Sequence, residues 1–256
     1  MTKRFQNIIK KSQSVWILAV GIVLWQAVVS LGVVERFMLP SPIDVIKAFI
    51  TDFYLLTSHC KTTLCEAFIG LLLSVLFGFL IALCMDRFHF VHKGLYPILI
   101  ISQTIPSIAI APLLVLWQGY GMAPKITLIF IVCFFPITIG LLDGFKSHDK
   151  DYARLLKSMG AKRMQIFWHV KLPFALPHFL SGLKIAVSYS IVGAVISEWL
   201  GGTSGLGVYM TRVRKAYCFD KMFAVIFLIS IISLVLIWLV NLLIKKCNVT
   251  IYKKDD

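Results

Sequence analysis

At 256 residues, with 59% hydrophobic and 15% charged positions and a mean hydropathy of +0.86, the chain is too apolar for a soluble domain of its size. Its net charge of +14 raises the question of nucleic acid, but no binding motif accompanies the charge, so nucleic acid is excluded as a partner. The composition is that of an all-α integral membrane protein forming a single transmembrane domain over 1–256.

A spanning helix needs about 20 largely apolar residues, and six windows of that kind occur: 15–34, 63–85, 95–117, 126–142, 179–200 and 222–244. The first follows Lys3, Arg4, Lys10 and Lys11 and resembles the start of a signal peptide. It is too long for one and no A-x-A site follows, so a retained helix is expected. Of the 26 Lys and Arg, seventeen fall on the side of the N-terminal tail and eight on the other, with Lys184 inside a span. That asymmetry predicts both termini in the cytosol. The six cysteines show no C-x-x-C spacing, so neither a metal site nor a disulfide framework is indicated, although Cys60 and Cys218 share one side.

Between the first two windows, SPIDVIKAFITDF offers Ser41 as a cap, Pro42 in the first turn and Asp44 three residues after the cap. Val45, Ile46, Phe49, Ile50 and Phe53 recur at helical spacing, which predicts a short helix on the outer interface. The third window carries Pro97, Pro106 and Pro112. Pro106 cannot donate to Ser102, and the polar run Ser102, Gln103 and Thr104 marks either a helix facing a pathway or a packed kink.

In the fifth window Gly182, Ala186, Ser190, Gly193 and Ser197 form a stripe of small residues suited to close helix contact. Ser181, Lys184, Ser188 and Glu198 are expected near the opposite side, as a candidate pathway lining. Lys184 lies close enough to the cytosolic end to snorkel, and Glu198 and Glu66 are read as interfacial or functional. Beyond the window, GGTSGLGVYM places Gly201, Gly202, Gly205 and Gly207 in a turn that dips or folds back. No G-x-x-x-x-G-K-[ST] occurs, so ATP is not bound by a P-loop here.

The segment 143–177 is predicted as a cytosolic insertion with seven basic residues against Asp143, Asp149 and Asp151. Apolar residues lie on both sides of Gly160 (Leu155, Leu156 and Met159 before it; Met164, Ile166, Phe167, Trp168 and Val170 after), which suits two short helices meeting at a turn. Such a pair either docks another protein or rests on membrane lipid through its basic residues.

SMGAKRMQIFWHVKLPFALP resembles the cytoplasmic signature of ATP-binding-cassette importer permeases, with Gly160, Val170, Leu172 and Pro173 at the signature spacing. QTIPSIAIAPLLVLWQGYG and SEWLGGTSGLGVYM resemble further stretches of the permeases that serve nitrate, sulfonate, taurine and thiamine-precursor importers. The similarity runs over nearly all the chain beyond Pro40. Two departures stand out. Arg154, Leu155 and Leu156 replace the family's Glu-Ala-Ala, leaving Asp151 to supply the acidic contact, and Gln118 replaces an aromatic.

The resemblance implies the type I ABC importer permease fold, with six transmembrane helices in a homodimer in the bacterial inner membrane. It implies a cytosolic ATPase subunit that carries ATP and Mg, an extracytoplasmic binding protein that delivers solute, and no cofactor or catalytic group on this chain. The residues expected to couple to the ATPase are Asp151, Arg154, Lys157, Ser158, Met159, Gly160, Ala161, Lys162, Arg163 and Phe167. Gln103, Ser188 and Glu198 are expected along the translocation path, and Pro106, Pro173, Gly205 and Gly207 in structural roles. TLCEAFIGLLL and FFPITIGLLDGF are most similar to permeases for thiamine pyrimidine precursors or riboflavin, with sulfonate, taurine or nitrate as the alternative. Two rivals are a proton-coupled carrier using Glu66 or Glu198 as relay and a membrane enzyme built on Asp86, His89 and His92.

Overall fold

Among the described residues, four helices of the computed structural model are long and apolar enough to cross a membrane: Phe53–Arg87, Met122–Lys146, Arg163–Gly201 and Phe219–Lys246. The structure describes residues 2–148 and 150–252, with side chains over 16–148 and 151–246, and no strand occurs among them. Asp149, the basic N-terminal tail, and Lys253 and Lys254 of the C-terminal tail lie outside the described side chains.

In chain order the helices are α1 (Thr2–Ser30), α2 (Pro42–Thr51), α3 (Phe53–Arg87), α4 (His89–Thr104), α5 (Ser107–Gln118) and α6 (Met122–Lys146). Then come α7 (Lys150–Ser158), α8 (Arg163–Ile166), a π-helical turn (Phe167–Lys171), α9 (Leu172–Gly201), α10 (Leu206–Lys215) and α11 (Phe219–Tyr252). The chain divides into two compact units, 1–58 with 209–228 and 59–208 with 229–256.

One of the six expected spans differs from expectation. Within the expected first span, Trp16–Ser30 is an apolar stretch of α1 among the described residues. The window 95–117 is not one helix but α4 and α5, bent by 100°. Pro106 explains the break: it has no N–H to give and it drives the preceding Ile105 to extended backbone at ψ 120°. Carbonyls near the break are taken locally, with Ser102 Oγ donating to Leu99 O at 2.7 Å and Thr104 Oγ1 to Ile101 O at 2.8 Å.

In the first unit, α2 begins with the reciprocal cap that its sequence encodes. The Asp44 N–H donates to Ser41 Oγ at 3.2 Å, and Asp44 Oδ2 accepts from the Ser41 N–H at 3.2 Å. The Ser41 hydroxyl bonded to its carboxylate holds Asp44 below the usual carboxylate range. Val45 and Ala48 are buried against Ala224 of α11, with Trp25 and Phe223 beside them. Ile46, Ile50 and Phe53 of the apolar face expected at the outer interface are exposed. Asp52, at the end of α2, accepts from the Tyr209 hydroxyl and from Lys221 Nζ at 2.8 Å. Burial pushes the Asp52 carboxyl up, but hydrogen bonds from Lys221 and Tyr209 outweigh it and leave the pKa below the ordinary 3.8.

In the second unit, α6 and α9 lie backbone against backbone. A Cβ on Gly182 would collide with Pro136 O, one on Gly144 would meet Ala175 Cα at 2.5 Å, and one on Gly140 would meet His178 O at 2.9 Å. The stripe of small residues on α9 is therefore a packing surface: Gly182, Ala186, Ser190, Gly193 and Ser197 are all buried. Lipid gives little hydrophobic reward for helix association, so close van der Waals contact of this kind supplies much of the attraction. The core around it holds Ile129, Cys133, Ile137, Leu141 and Phe145 of α6 with Ala82 and Met85 of α3. Large apolar side chains on other faces, among them Leu72, Phe77, Leu234 and Trp238, are exposed as expected for surfaces that face lipid.

Two outcomes follow from these contacts. Gly182→Ala should cost about 3 kcal/mol, the upper end for overpacking, and lower the thermal-unfolding midpoint in detergent; Gly94→Ala, with open space around it, should not. The Asp52 contribution should be complete above its ordinary pKa of 3.8 and lost as pH falls through the lower folded value. Asp52→Asn should flatten that acid limb in a stability-versus-pH series.

Candidate functional site

The helix α7 ends in a reciprocal pair of backbone bonds. The Ala161 N–H donates to Leu156 O and the Gly160 N–H to Lys157 O, both at 3.0 Å. This closure requires a left-handed residue, and Gly160 has φ +85°. The chain restarts where Gln165 Oε1 reaches back to the Lys162 N–H at 2.7 Å. The turn is strongly exposed: Leu155, Met159 and Met164 lie open, and Asp151 and Arg154 pair at 2.9 Å with side chains 85% and 77% exposed. The helix before it runs to Lys146 and the helix after it starts at Arg163, so the stretch between them, which holds α7, is 147–162 and lies within the expected 143–177 segment.

Phe167 does not belong to that exposed surface. It packs on Phe145, ring centroids 5.7 Å apart, at the edge of the core. The π-helical turn that begins there ends with the Leu172 N–H donating to Phe167 O, five residues back. A widened turn immediately before Pro173 suits a residue that has no N–H to offer the preceding turn. Lys171 closes the turn against α3, its Nζ at 2.7 Å from Asp86 Oδ2.

A second cluster surrounds the start of α10. Three successive backbone N–H groups find side-chain acceptors: Gly205 on His59 Nδ1 at 2.9 Å, Leu206 on Thr63 Oγ1 at 2.9 Å, and Gly207 on Glu198 Oε2 at 2.6 Å. The Thr63 hydroxyl donates to Glu198 Oε1 at 2.7 Å. A carboxylate here answers both the unpaired N–H groups and the positive end of the helix dipole. Gly205, at φ +122°, and Gly207 lie so near Glu198 that a Cβ on either would press on its side chain. Beside this knot Lys125 pairs with Glu66 at 2.6 Å, their side chains 5% and 0% exposed.

Glu198 is therefore misplaced by its expectation as a pathway residue. It is 1% exposed and both its oxygens are bonded inside the subunit. Ten residues beyond Ser188, it stands roughly 80° away around the helix, next to the buried stripe. Ser188 is half-buried and bonds back to Lys184 O at 3.3 Å. Gln103 is exposed. It borders two adjoining hollows, of about 260 and 410 Å³, with Tyr189 on both. The larger is also lined by Asp143, His178 and Ser181, and no Lys or Arg lines either one.

Asp86, His89 and His92 do not form a metal centre. Asp86 is engaged by Lys171, while His92 contacts Lys146 Nζ at 3.0 Å and stacks on Tyr96. Among the described residues no three potential ligands converge, and Cys60 and Cys218 are free thiols. Lys125 as the partner of Glu66 and His59 as a loop acceptor escaped sequence reading. Nothing local to either marks an interaction across 59 or 146 positions.

Residues 74–249 match the family described as "Binding-protein-dependent transport system inner membrane component". The chain belongs to this family. A probable ABC transporter permease of Haemophilus influenzae is 40% identical over 90% of this chain and 95% of its own length. The formylaminopyrimidine transport permease ThiX of Halalkalibacterium halodurans is 39% identical, over 78% of this chain and 80% of its own. The taurine permease TauC of Escherichia coli is 32% identical, over 87% and 84%. In fold the chain is similar to the MetNI methionine ABC transporter in an inward-facing conformation, at a TM-score of 0.68 and 18% identity, covering 76% of this chain and 97% of that one. The protein is thus an ABC importer permease with the type I fold, a multi-pass inner-membrane transport subunit that works with an ATPase and a binding protein.

The ion pair beneath the knot yields a direct expectation. Lys125→Met leaves Glu66 buried and unpaired and should cost about 3–5 kcal/mol, whereas Lys125→Met with Glu66→Leu should recover most of the loss. Thermal unfolding of the purified permease variants gives both values.

Proposed function

We propose that this permease imports a neutral or cationic heteroaromatic solute, a thiamine pyrimidine precursor, handed over by an extracytoplasmic binding protein. The observation that carries this reading is the lining of the hollows beside Gln103. Tyr189 offers a ring to stack on, Gln103 and His178 offer hydrogen-bonding edges, and Asp143 offers an acceptor to an amino or protonated ring group. An anionic sulfonate needs donors or positive charge, and the lining contains no Lys or Arg. The ThiX relative, a formylaminopyrimidine permease, points the same way. The likeness to TauC keeps taurine as the second reading.

In this reading 147–162 is cytosolic, both termini lie on that side, and two copies of the chain form the pathway. The exposed turn at Gly160 seats in the ATPase, which binds ATP and Mg. Met159 supplies apolar contact, and Lys157 and Lys162 supply orientation. Glu66 and Glu198 are committed to Lys125 and to the loop, which disfavours a proton relay through either.

Reconstituted with its ATPase and binding protein, the permease should take up labelled formylaminopyrimidine, and excess taurine should not compete. Asp143→Asn should reduce uptake about tenfold, the loss of one hydrogen bond to a charged group, with ATPase association unchanged; taurine uptake insensitive to Asp143 would favour the second reading. Gly160→Val places a β-branched residue at φ +85° and should abolish ATPase association while the permease still folds. Full uptake by that variant would count against the turn as the docking element.

A further inference from the structure

A groove of about 750 Å³ runs between α3 and the start of the Arg163–Gly201 span, and neither the transport path nor the Gly160 turn accounts for it. One wall is a stripe of α3. Phe79, Leu83 and Arg87 follow each other at four-residue spacing, so one face changes from apolar to basic over about 12 Å. The facing wall carries Arg163 at the first position of α8, then Phe167 and the 58% exposed ring of Trp168. The other two charged groups in the groove, Lys171 and Asp86, neutralise each other at 2.7 Å. Among the described residues neither Arg87 nor Arg163 has a carboxylate partner.

We infer that this groove binds an anionic phospholipid of the inner leaflet, its phosphate between Arg87 and Arg163 and an acyl chain along Leu83 and Phe79. Charge and placement select that occupant. Guanidinium groups without a carboxylate partner match a phosphate bidentately, and the apolar end belongs to a helix long enough to span the bilayer, where acyl chains already lie. Trp168 has the amphipathic ring that favours the headgroup level, and basic pockets between spans on the cytosolic side suit lipid phosphate. A water-soluble acidic peptide would leave Phe79 and Leu83 uncovered. The inference rests on the reading that this end of α3 is cytosolic, but its test requires no ATPase and no solute.

The test is native mass spectrometry of the whole permease in mild detergent, with phosphatidylglycerol and phosphatidylcholine supplied together. The wild type should retain phosphatidylglycerol at least about tenfold in excess, and Arg87→Gln with Arg163→Gln should bring the ratio below about twofold while the thermal midpoint holds. Independently of any variant, brominated-chain phosphatidylglycerol should quench a tryptophan signal that Trp168→Phe removes, and brominated phosphatidylcholine should not. An unchanged lipid ratio in the double variant overturns the inference. So does displacement of the lipid by chain-free glycerophosphoglycerol, which would make the site one for soluble phosphate, or by the ATPase, which would make the groove part of the docking surface.

Discussion

Close contact between α6 and α9 is the constraint on which the second unit depends. Where Gly182 faces Pro136 O and Gly144 faces Ala175, the two backbones approach without side chains between them. That approach aligns Gln103, Asp143, His178 and Tyr189 around the hollows, since α6 and α9 supply three of the four. It also fixes both ends of 147–162, because the exposed turn is strung between these two helices. A displacement of the turn is then passed to a rigid pair rather than dissipated in a flexible linker. In lipid, where apolar side chains gain little from burial, backbone proximity of this kind holds a pair together at low side-chain entropy cost.

The buried charges of the same unit follow a different logic. A carboxylate within a span is costly unless paired, and both here are paired: Glu66 with Lys125, and Glu198 with Thr63 and the N–H of Gly207. Each acid has a partner in another element, so the charges fasten α3, α6, α9 and the glycine-rich loop to one another. The loop thereby gains a fixed conformation even though Gly202, Gly205 and Gly207 contribute no side chains to hold it. Charges used this way serve to hold elements together within the subunit.

Local signals in the sequence were the most legible. The cap at Ser41, the left-handed turn at Gly160 and the small-residue stripe of α9 each need only residues within one element, and all three occur in the structure. What stayed hidden depends on partners or angles. Whether Pro106 kinks a helix or turns it by 100° is decided by neighbours, as Pro97 and Pro112 show by sitting inside intact helices. Glu198 was misassigned because its burial comes from Thr63 of α3 and the Gly207 N–H, partners that counting around one helix does not show. Helix α10 follows a glycine-rich turn, and its apolar period of Leu206, Tyr209 and Val213 is short; capping by His59, Thr63 and Glu198 supplies its start. Phe167 looked exposed because the expected docking run passed through it, whereas the π-helical turn rotates it onto Phe145.

That π-helical turn also determines how a pull on the exposed segment would spread. Between Arg163 and the tightly packed part of α9 the only departure from α-helical geometry is this turn, with Pro173 just beyond it. A wide turn followed by a proline is a weak point in an otherwise continuous 39-residue helix. Yet Phe167 on Phe145 and Lys171 on Asp86 anchor the same turn to α6 and α3. A force applied near Gly160 therefore cannot simply bend α9 at its weak point; it must carry α3, α6 and α9 together or first break a 2.7 Å ion pair. Rigid-body motion of the three helices is the easier course, and it is the motion that would open and close the hollows bordered by α4 and α5 beside them.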